Sequence, residues 1–103
     1  MDAIRKLPRL QKSLVLLLPD GWKGDVVDLS AVGMRVQSLL VLPEGAELEG
    51  VLLLPGGEQL PVKGEVVWTL APDHVNRVPA EMGLELLDVS EAYLKALAGL
   101  FAD

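Results

Sequence analysis

The sequence contains no cysteine, a single histidine and only 4% aromatic residues among its 103 positions. The absence of cysteine excludes disulfides and thiol chemistry and is typical of a reducing compartment. His74 stands alone in a polar segment, so zinc sites built from Cys and His clusters are excluded as well. The sequence also lacks a G-x-S-x-G elbow, a glycine-rich phosphate loop and an EF-hand loop. These absences predict a protein that is neither an enzyme nor a metalloprotein.

Long apolar runs are missing too. The run from Leu14 to Leu18 has five residues, which is shorter than the core of a signal peptide and far shorter than a membrane helix. Pro19, Asp20 and Gly21 follow it without a small-residue cleavage pattern. Half of the residues are hydrophobic, and a chain of this length forms one domain with a real core. We therefore expect a soluble cytoplasmic protein with no membrane insertion.

Positive charge is scarce overall but concentrated at one end. The net charge is −6, which argues against DNA or RNA as a partner because nucleic-acid binding needs a basic face. Residues 1–12, here called the N-terminal arm, hold four basic residues against one acidic residue, whereas residues 13–103 hold five basic and fourteen acidic residues. The arm is either solvated by its own charges or part of a site for a compact anion.

Alternating apolar residues and regularly spaced turn signals predict a mostly β protein. The first hairpin turns at Asp20-Gly21, a third strand runs from Gly33 to about Gln37, and a second hairpin turns at residues 55–58. In its second strand Val62, Gly64, Val66 and Trp68 alternate with charged residues, which predicts that these four share a buried face. After the polar segment 71–79, a sixth strand places Met82, Leu84 and Leu86 on one face. Residues 13–103 are therefore predicted to form a single closed or nearly closed antiparallel barrel.

The end of the chain changes to a helical period. Ser90 is a suitable N-cap and Glu91 is favourable in the first turn, so a helix is predicted from about residue 90. Its apolar stripe contains Tyr93, Leu94, Leu97, Leu100 and Phe101. The stripe either docks a partner or covers one end of the barrel, and the second interpretation is favoured because short isolated helices are marginal.

Two short segments carry the functional signal. "RKLPR" places Arg5 and Arg9 four residues apart, and "DLSAVG" provides Asp28, Ser30 and Gly33 some twenty residues later. Together they resemble the signature of the PilZ domain family, R-x-x-x-R followed by D/N-x-S-x-x-G, and all five defining residues are present. "GEVVW" and "MGLELLDVS" followed by a helix resemble the family's later strands and C-terminal segment. One departure is Val32, which stands where a second glycine is common.

The resemblance implies a six-stranded PilZ-type barrel with a C-terminal helix and a ligand, the bacterial second messenger cyclic di-GMP, with no other cofactor. The residue types suit that ligand, since arginine can fork to guanine, pair with phosphate and stack on a base. Arg5 and Arg9 are expected to do this from an arm that is flexible until the ligand orders it. Asp28 can accept from the guanine pairing edge, Ser30 can donate or accept, and Gly33 permits close backbone approach or positive φ.

Other interpretations stay open at this stage. Asp28, Ser30 and Gly33 can instead form a simple turn between two strands. The leading hypothesis is a cyclic di-GMP receptor that acts as an adaptor for an unidentified protein partner or through a homodimer. The alternative is a nucleotide-independent interaction module of motility or pilus machinery. A barrel that binds single-stranded nucleic acid is disfavoured by the net charge of −6 and the few aromatic residues.

Overall fold

A computed structural model describes residues 14–39 and 42–101 as a barrel followed by a helix. The strands are β1 (Leu14–Leu17), β2 (Lys23–Leu29), β3 (Gly33–Ser38), β4 (Glu47–Leu53), β5 (Gln59–Leu70) and β6 (Glu81–Leu87), and the helix is α1 (Glu91–Phe101). All pairings are antiparallel, and the order β1-β2-β3-β6-β5-β4 closes because β1 also pairs with β4. The predicted six-stranded barrel and C-terminal helix are confirmed.

The strand alternation predicted from the sequence fills the barrel with aliphatic side chains. Val26, Val36, Val66 and Met82, from four different strands, have no exposed surface, and Leu84 is also buried. Each such side chain contributes roughly 1.5–3 kcal/mol relative to an exposed position. The first turn also forms as predicted, because Pro19–Gly21 is a single 3₁₀ turn that ends at a glycine with φ of 82°. The core therefore follows directly from the period-two pattern.

Helix α1 packs against one end of the barrel. The Ser90 hydroxyl accepts a hydrogen bond of 3.0 Å from the Tyr93 amide, which is the predicted N-cap. Tyr93 and Leu97 are buried in the core and Leu100 packs against it, so these three residues of the stripe cover the barrel, while the Phe101 side chain lies outside the described part of the structure. Leu94 departs from the prediction, because its side chain is 44% exposed. Tyr93 and Leu94 are adjacent and therefore point in directions about 100° apart around the helix axis. Because Tyr93 points into the barrel, Leu94 points away from it.

The antiparallel order places the β2–β3 and β4–β5 turns at the same end of the barrel, where α1 also lies. A groove there is lined by Leu54 and Leu60 on the β4–β5 side and by Ala92 and Ala96 of α1. The β1–β2 turn and the long β5–β6 connection lie at the opposite end. No helix within residues 14–39 and 42–101 is both long enough and apolar enough to cross a membrane.

Candidate functional site

Two β-bulges shape the outer face of the barrel. The register of β2 against β3 shifts between Val26 and Asp28, and the register of β5 against β6 shifts between Val66 and Trp68. Without a bulge, residues two apart in a strand would point to the same face. Each bulge inserts one extra residue, so Val26 and Val66 point into the core, Trp68 is exposed, and Asp28 shares the outer face with its opposite residue Arg35 although its neighbours cover it.

The bulges bring four residues into one row across four neighbouring strands. Asp28 of β2 is opposite Arg35 of β3, Arg35 is opposite Gly83 of β6, and Gly83 is opposite Trp68 of β5. Directly opposed residues in antiparallel strands present their side chains on the same face about 4.5–5.5 Å apart. A carboxylate, a guanidinium, a glycine and an indole therefore lie side by side on the outside of the barrel.

The position of Trp68 corrects the sequence prediction. The alternation predicted Trp68 on the buried face with Val66, whereas Val66 is fully buried and Trp68 is 36% exposed. The bulge at Val67 is the physical reason, because it reverses the alternation within β5. The indole lies across Gly83, where a β-carbon would collide with the ring atoms Nε1, Cε2 and Cδ1. Gly83 thus makes room for an aromatic ring that keeps contact with solvent.

The charges in the row are partly compensated. Arg35 lies 3.3 Å from Asp28, measured from Nη2 to Oδ2, and 3.4 Å from Glu81, measured from Nε to Oε2. The Asp28 side chain is 5% exposed and that of Arg35 is 42% exposed. The Nε atom of Arg35 is buried and has an ion-pair contact without hydrogen-bond geometry. Arg35 therefore pairs with the motif aspartate while part of its own side chain stays exposed to solvent.

Residues 28–33, here called the motif loop, are held by backbone contacts. The Ser30 amide donates to the Gly33 carbonyl at 2.8 Å, and the Val32 amide contacts the Ser30 hydroxyl oxygen at 3.3 Å. The Leu86 amide of β6 donates to the Val32 carbonyl at 2.9 Å. The Ser30 turn that the sequence left open is therefore present, and it is anchored to a strand about fifty residues further along the chain.

Gly33 occupies a place that admits no side chain. A β-carbon there would lie 2.5 Å from the carbonyl oxygen of Leu84 on β6. Positive φ among the described glycines occurs at Gly21, Gly45 and Gly57 and not at Gly33. The missing side chain lets β6 approach closely, whereas the predicted approach of the Gly33 backbone to a ligand stays a prediction.

The motif loop is also tied to α1. The Tyr93 hydroxyl donates a hydrogen bond of 2.6 Å to the Ser30 carbonyl, and both residues are buried. Burial raises the pKa of the Tyr93 phenol well above its ordinary value of 10. The phenol therefore remains a protonated donor at physiological pH.

A shallow cleft of about 310 Å³ runs along these residues, and we call it the motif cleft. Three of the five predicted site residues, Asp28, Ser30 and Gly33, line it together. The other two, Arg5 and Arg9, lie outside the described residues, as does the rest of the N-terminal arm. The remaining lining residues come from β3, β5, β6 and the motif loop: Val32, Met34, Arg35, Val67, Trp68, Gly83, Leu84 and Glu85.

Arg35 and Trp68 are site residues that the sequence analysis missed. The sequence held a signal for the first bulge. Val26 and Leu29 are both apolar and both lie in the core. They are three residues apart, and residues three apart in a regular strand face opposite sides. Consecutive valines precede the outward residue in both cases, at Val26-Val27 and Val66-Val67. Pattern alone does not place a bulge, since its position depends on the partner strand.

The comparisons with known proteins agree with this geometry. No curated protein matches the sequence significantly. The fold resembles the solved structure of the Bacillus subtilis inhibitor of motility, MotI/DgrA, with a TM-score of 0.75 at 17% sequence identity. That match covers 95% of this chain and 50% of the other, so this chain spans about half of that protein's length. The PilZ domain family matches residues 4–103, which include both motifs and the whole described barrel, and the chain therefore belongs to the PilZ domain family.

Proposed function

We propose that this domain is a receptor for cyclic di-GMP that transmits the signal to a protein partner. The observation that carries the proposal is the row formed by Asp28, Arg35, Gly83 and Trp68 beside the motif loop. The row combines a hydrogen-bond acceptor, a cation and an aromatic surface, which are the groups that a guanine nucleotide requires. Membership of the PilZ domain family, whose members are binding modules, supports the same ligand.

Guanine recognition is assigned to the two ends of the row. Asp28 can accept hydrogen bonds from the N–H groups of the guanine pairing edge, and its pairing with Arg35 fixes the direction of its carboxylate. The half-exposed indole of Trp68 offers a base a stacking surface. Base–aromatic stacking of this kind contributes about 1–3 kcal/mol. Because Gly83 has no side chain, the indole lies directly on its backbone, and this contact fixes how far the ring stands out from the barrel.

The phosphates need cations from outside the described residues. Among the described residues that line the motif cleft, Arg35 is the one base, whereas Asp28 and Glu85 are acids. One base against two acids gives the cleft a net negative charge, which disfavours binding of a ligand that carries two negative charges. The N-terminal arm provides the missing charge, because four of its residues are basic and one is acidic. We therefore propose that Arg5 and Arg9, the two arginines of the R-x-x-x-R motif, bind the phosphates.

The chain geometry permits this assignment. Leu14, the first described residue of β1, pairs with Val26, which is two residues before Asp28 on the neighbouring strand. Five residues extend at most about 18 Å, so Arg9 is within reach of the motif cleft. Arg5 lies four residues further out, and we propose that the arm folds over the ligand so that Arg5 also contacts the nucleotide. The ordering of the arm would then create the surface that a partner recognises.

Tryptophan fluorescence tests the proposal directly. The chain has two tryptophans, and Trp22 does not line the motif cleft. In a Trp22→Phe variant, titration with cyclic di-GMP should change the emission of Trp68, whereas GTP and a short oligonucleotide should not. A Trp68→Phe variant, followed by calorimetry, should bind roughly tenfold more weakly because the stacking surface shrinks. A titration of the parent without any binding heat would refute the receptor function.

The arm provides the sharpest separation of ligand site from scaffold. Arg5→Ala with Arg9→Ala, or deletion of residues 1–9, should leave the melting temperature of the free protein nearly unchanged. Cyclic di-GMP should raise the melting temperature of the parent by preferential binding to the folded state, and this shift should vanish in both variants. Each arginine contact is typically worth about 1–3 kcal/mol. An undiminished shift would place the nucleotide elsewhere.

Failure of the parent to bind cyclic di-GMP would favour the second candidate, a nucleotide-independent interaction module. The fold shared with an inhibitor of motility makes motility machinery the first place to look for its partner. In that case the motif residues would serve the turn alone, and variants of Asp28 and Arg35 would alter stability without altering partner binding. Cytoplasmic location and homodimer formation remain predictions under either candidate.

A further inference from the structure

The contact between Tyr93 and Ser30 joins two parts of the chain with different expected roles. Tyr93 is the single tyrosine of the protein and lies in the first turn of α1. Its hydroxyl reaches the Ser30 carbonyl, 63 residues away in sequence, with a hydrogen bond of 2.6 Å. The side chain is 2% exposed, so the bond is shielded from water. It connects the middle of the motif loop to the helix that covers the barrel.

We propose that Tyr93 is a positioning residue that couples the motif loop to α1. Tyr93 fixes the loop in the form that lines the motif cleft, and a ligand in the cleft in return stabilises the docked position of α1. The ligand half of this statement rests on the proposed function. Coupling of this kind is reciprocal, because any free energy by which the helix stabilises the binding-competent loop also stabilises the helix when ligand is bound.

The loop depends on this bond because the other polar groups of Ser30 are used within the loop itself. The Ser30 amide donates to the Gly33 carbonyl, and its hydroxyl oxygen faces the Val32 amide. Those contacts set the shape of the turn, while the phenol of Tyr93 bonds the carbonyl and sets the position of the turn relative to the barrel end. A buried carbonyl that loses its hydrogen-bond donor is destabilised, so the loop would shift toward water without the phenol.

The helix is equally dependent on a few anchors. It has eleven residues, and isolated helices of that length are marginal in water. Its docking relies on burial of Tyr93 and Leu97 and on the Ser90 cap, whose acceptor bonds the amide of Tyr93 itself. The same residue thus carries the cap contact, the core contact and the bond to the motif loop. The Tyr93 side chain is therefore a direct contact through which a change in the loop reaches the helix.

Tyr93→Phe tests the proposal because it removes the hydroxyl and retains the ring. Leu94→Ala is the matched control, since Leu94 is the next residue of the same helix and is 44% exposed. In the ligand-free proteins, amide hydrogen exchange should be faster in Tyr93→Phe at residues 30–33 and in the first turns of α1. The control should exchange like the parent at the motif loop. Unchanged exchange at the loop in Tyr93→Phe would overturn the coupling.

Cyclic di-GMP then tests the transmitted effect. Well below the melting temperature, where every variant is folded, Tyr93→Phe should bind the nucleotide roughly threefold to tenfold more weakly. The nucleotide should slow exchange in α1 of the parent and of Leu94→Ala, and much less in Tyr93→Phe. A purely structural hydroxyl would lower the melting temperature and leave both the affinity and the helix protection unchanged, which would refute the positioning role.

The two proposals fail in different ways. If the parent shows no binding heat with cyclic di-GMP, the receptor function and the ligand half of this inference are both wrong, while ligand-free exchange still decides whether Tyr93 couples loop and helix. If Tyr93→Phe does not fold, Ser90→Ala replaces it, because loss of the cap loosens the same helical turn and leaves the phenol in place. Ser90→Ala should also speed exchange at the motif loop, and an unchanged loop would contradict the coupling.

Discussion

Asp73 and Asp28 are two aspartates near strand connections of the barrel, and they differ in where they find their hydrogen-bond and ion-pair partners. Asp73, in the β5–β6 connection, is exposed and accepts hydrogen bonds from Asn76 at 2.7 Å and 3.2 Å and from the Val75 amide at 3.1 Å. Asp28, at the β2–β3 connection, is 3% exposed and is opposite Arg35 on the next strand. The first network is local, and the second reaches across the barrel face.

The difference shows how each aspartate is held in place. Hydrogen bonds from Asn76, first its side chain and then its backbone amide, lower the pKa of Asp73 and complete a self-contained turn. The motif loop is instead fixed by Leu86 of β6 and by Tyr93 of α1, so its position depends on the tertiary fold. The surroundings of Asp28 are therefore built from several elements of the fold, as its proposed ligand role requires, whereas Asp73 closes its own loop and turns the chain.

The largest expected effect comes from Gly33→Ala. A β-carbon would meet the Leu84 carbonyl at 2.5 Å, and a backbone atom cannot rotate away, so β3 and β6 must separate. Overpacking of this kind typically costs about 1–3 kcal/mol, and we expect a lower denaturant midpoint together with loss of cyclic di-GMP binding. Gly56→Ala is the control, because a β-carbon there has nothing within 4 Å. Equal stability of the two variants would contradict the tight β3–β6 contact.

A direct comparison of the two aspartates should give a smaller effect. Asp28→Ala should weaken cyclic di-GMP binding by at least about tenfold because a guanine-edge acceptor is lost, whereas Asp73→Ala should bind like the parent. Thermal stability is measured alongside, because Asp28 also pairs with Arg35. The lowered pKa of Asp73 means that its contribution to stability is present above its ordinary pKa of 3.8 and is lost as the pH falls further. Equal nucleotide affinity in the two variants would make Asp28 a turn residue as well.

The smallest effect is expected at Arg77, which lies in the same exposed connection as Asp73. Its φ of 58° is in the left-handed region, which costs a residue with a side chain about 1–2 kcal/mol. Glycine relieves that cost but loses more chain entropy on folding, about 0.5–1 kcal/mol. The difference of about 0–1.5 kcal/mol predicts that Arg77→Gly raises stability slightly in a thermal melt. Any accompanying change in nucleotide affinity would mean that this connection is part of the ligand site.

Much of the fold could be predicted because the core follows a simple rule. Val36, Met82 and Leu84 are buried as the period-two pattern requires, and the helix begins after the Ser90 cap. The prediction failed at Trp68 and Leu94, which were assigned to buried faces and are half exposed. Both errors arise where a neighbouring element decides which side chain faces inward. At Trp68 this is the bulge of β5 against β6, and at Leu94 it is the packing of α1 on the barrel.

The site was predictable only as a set of residue types. The sequence identified Asp28, Ser30 and Gly33 from the motif, and the β2–β3 hairpin keeps the three close together, whereas the cleft around them also needs β5 and β6. Arg35 and Trp68 belong to neither motif. They line the cleft because strands that are distant in sequence are neighbours in the closed barrel. The ligand roles of all five predicted residues stay predictions.

The sequence by itself determined the alternation that builds the barrel, the cap that starts the helix, the division of charge between arm and body, and the two motifs. These features depend on residues that are close along the chain, where spacing and side-chain chemistry are sufficient. Only the tertiary structure decided that Asp28 and Trp68 face outward and that Tyr93 bonds the Ser30 carbonyl. Bulge positions and long-range hydrogen bonds depend on which strands and helices become neighbours when the barrel closes, and that pairing is a property of the whole fold.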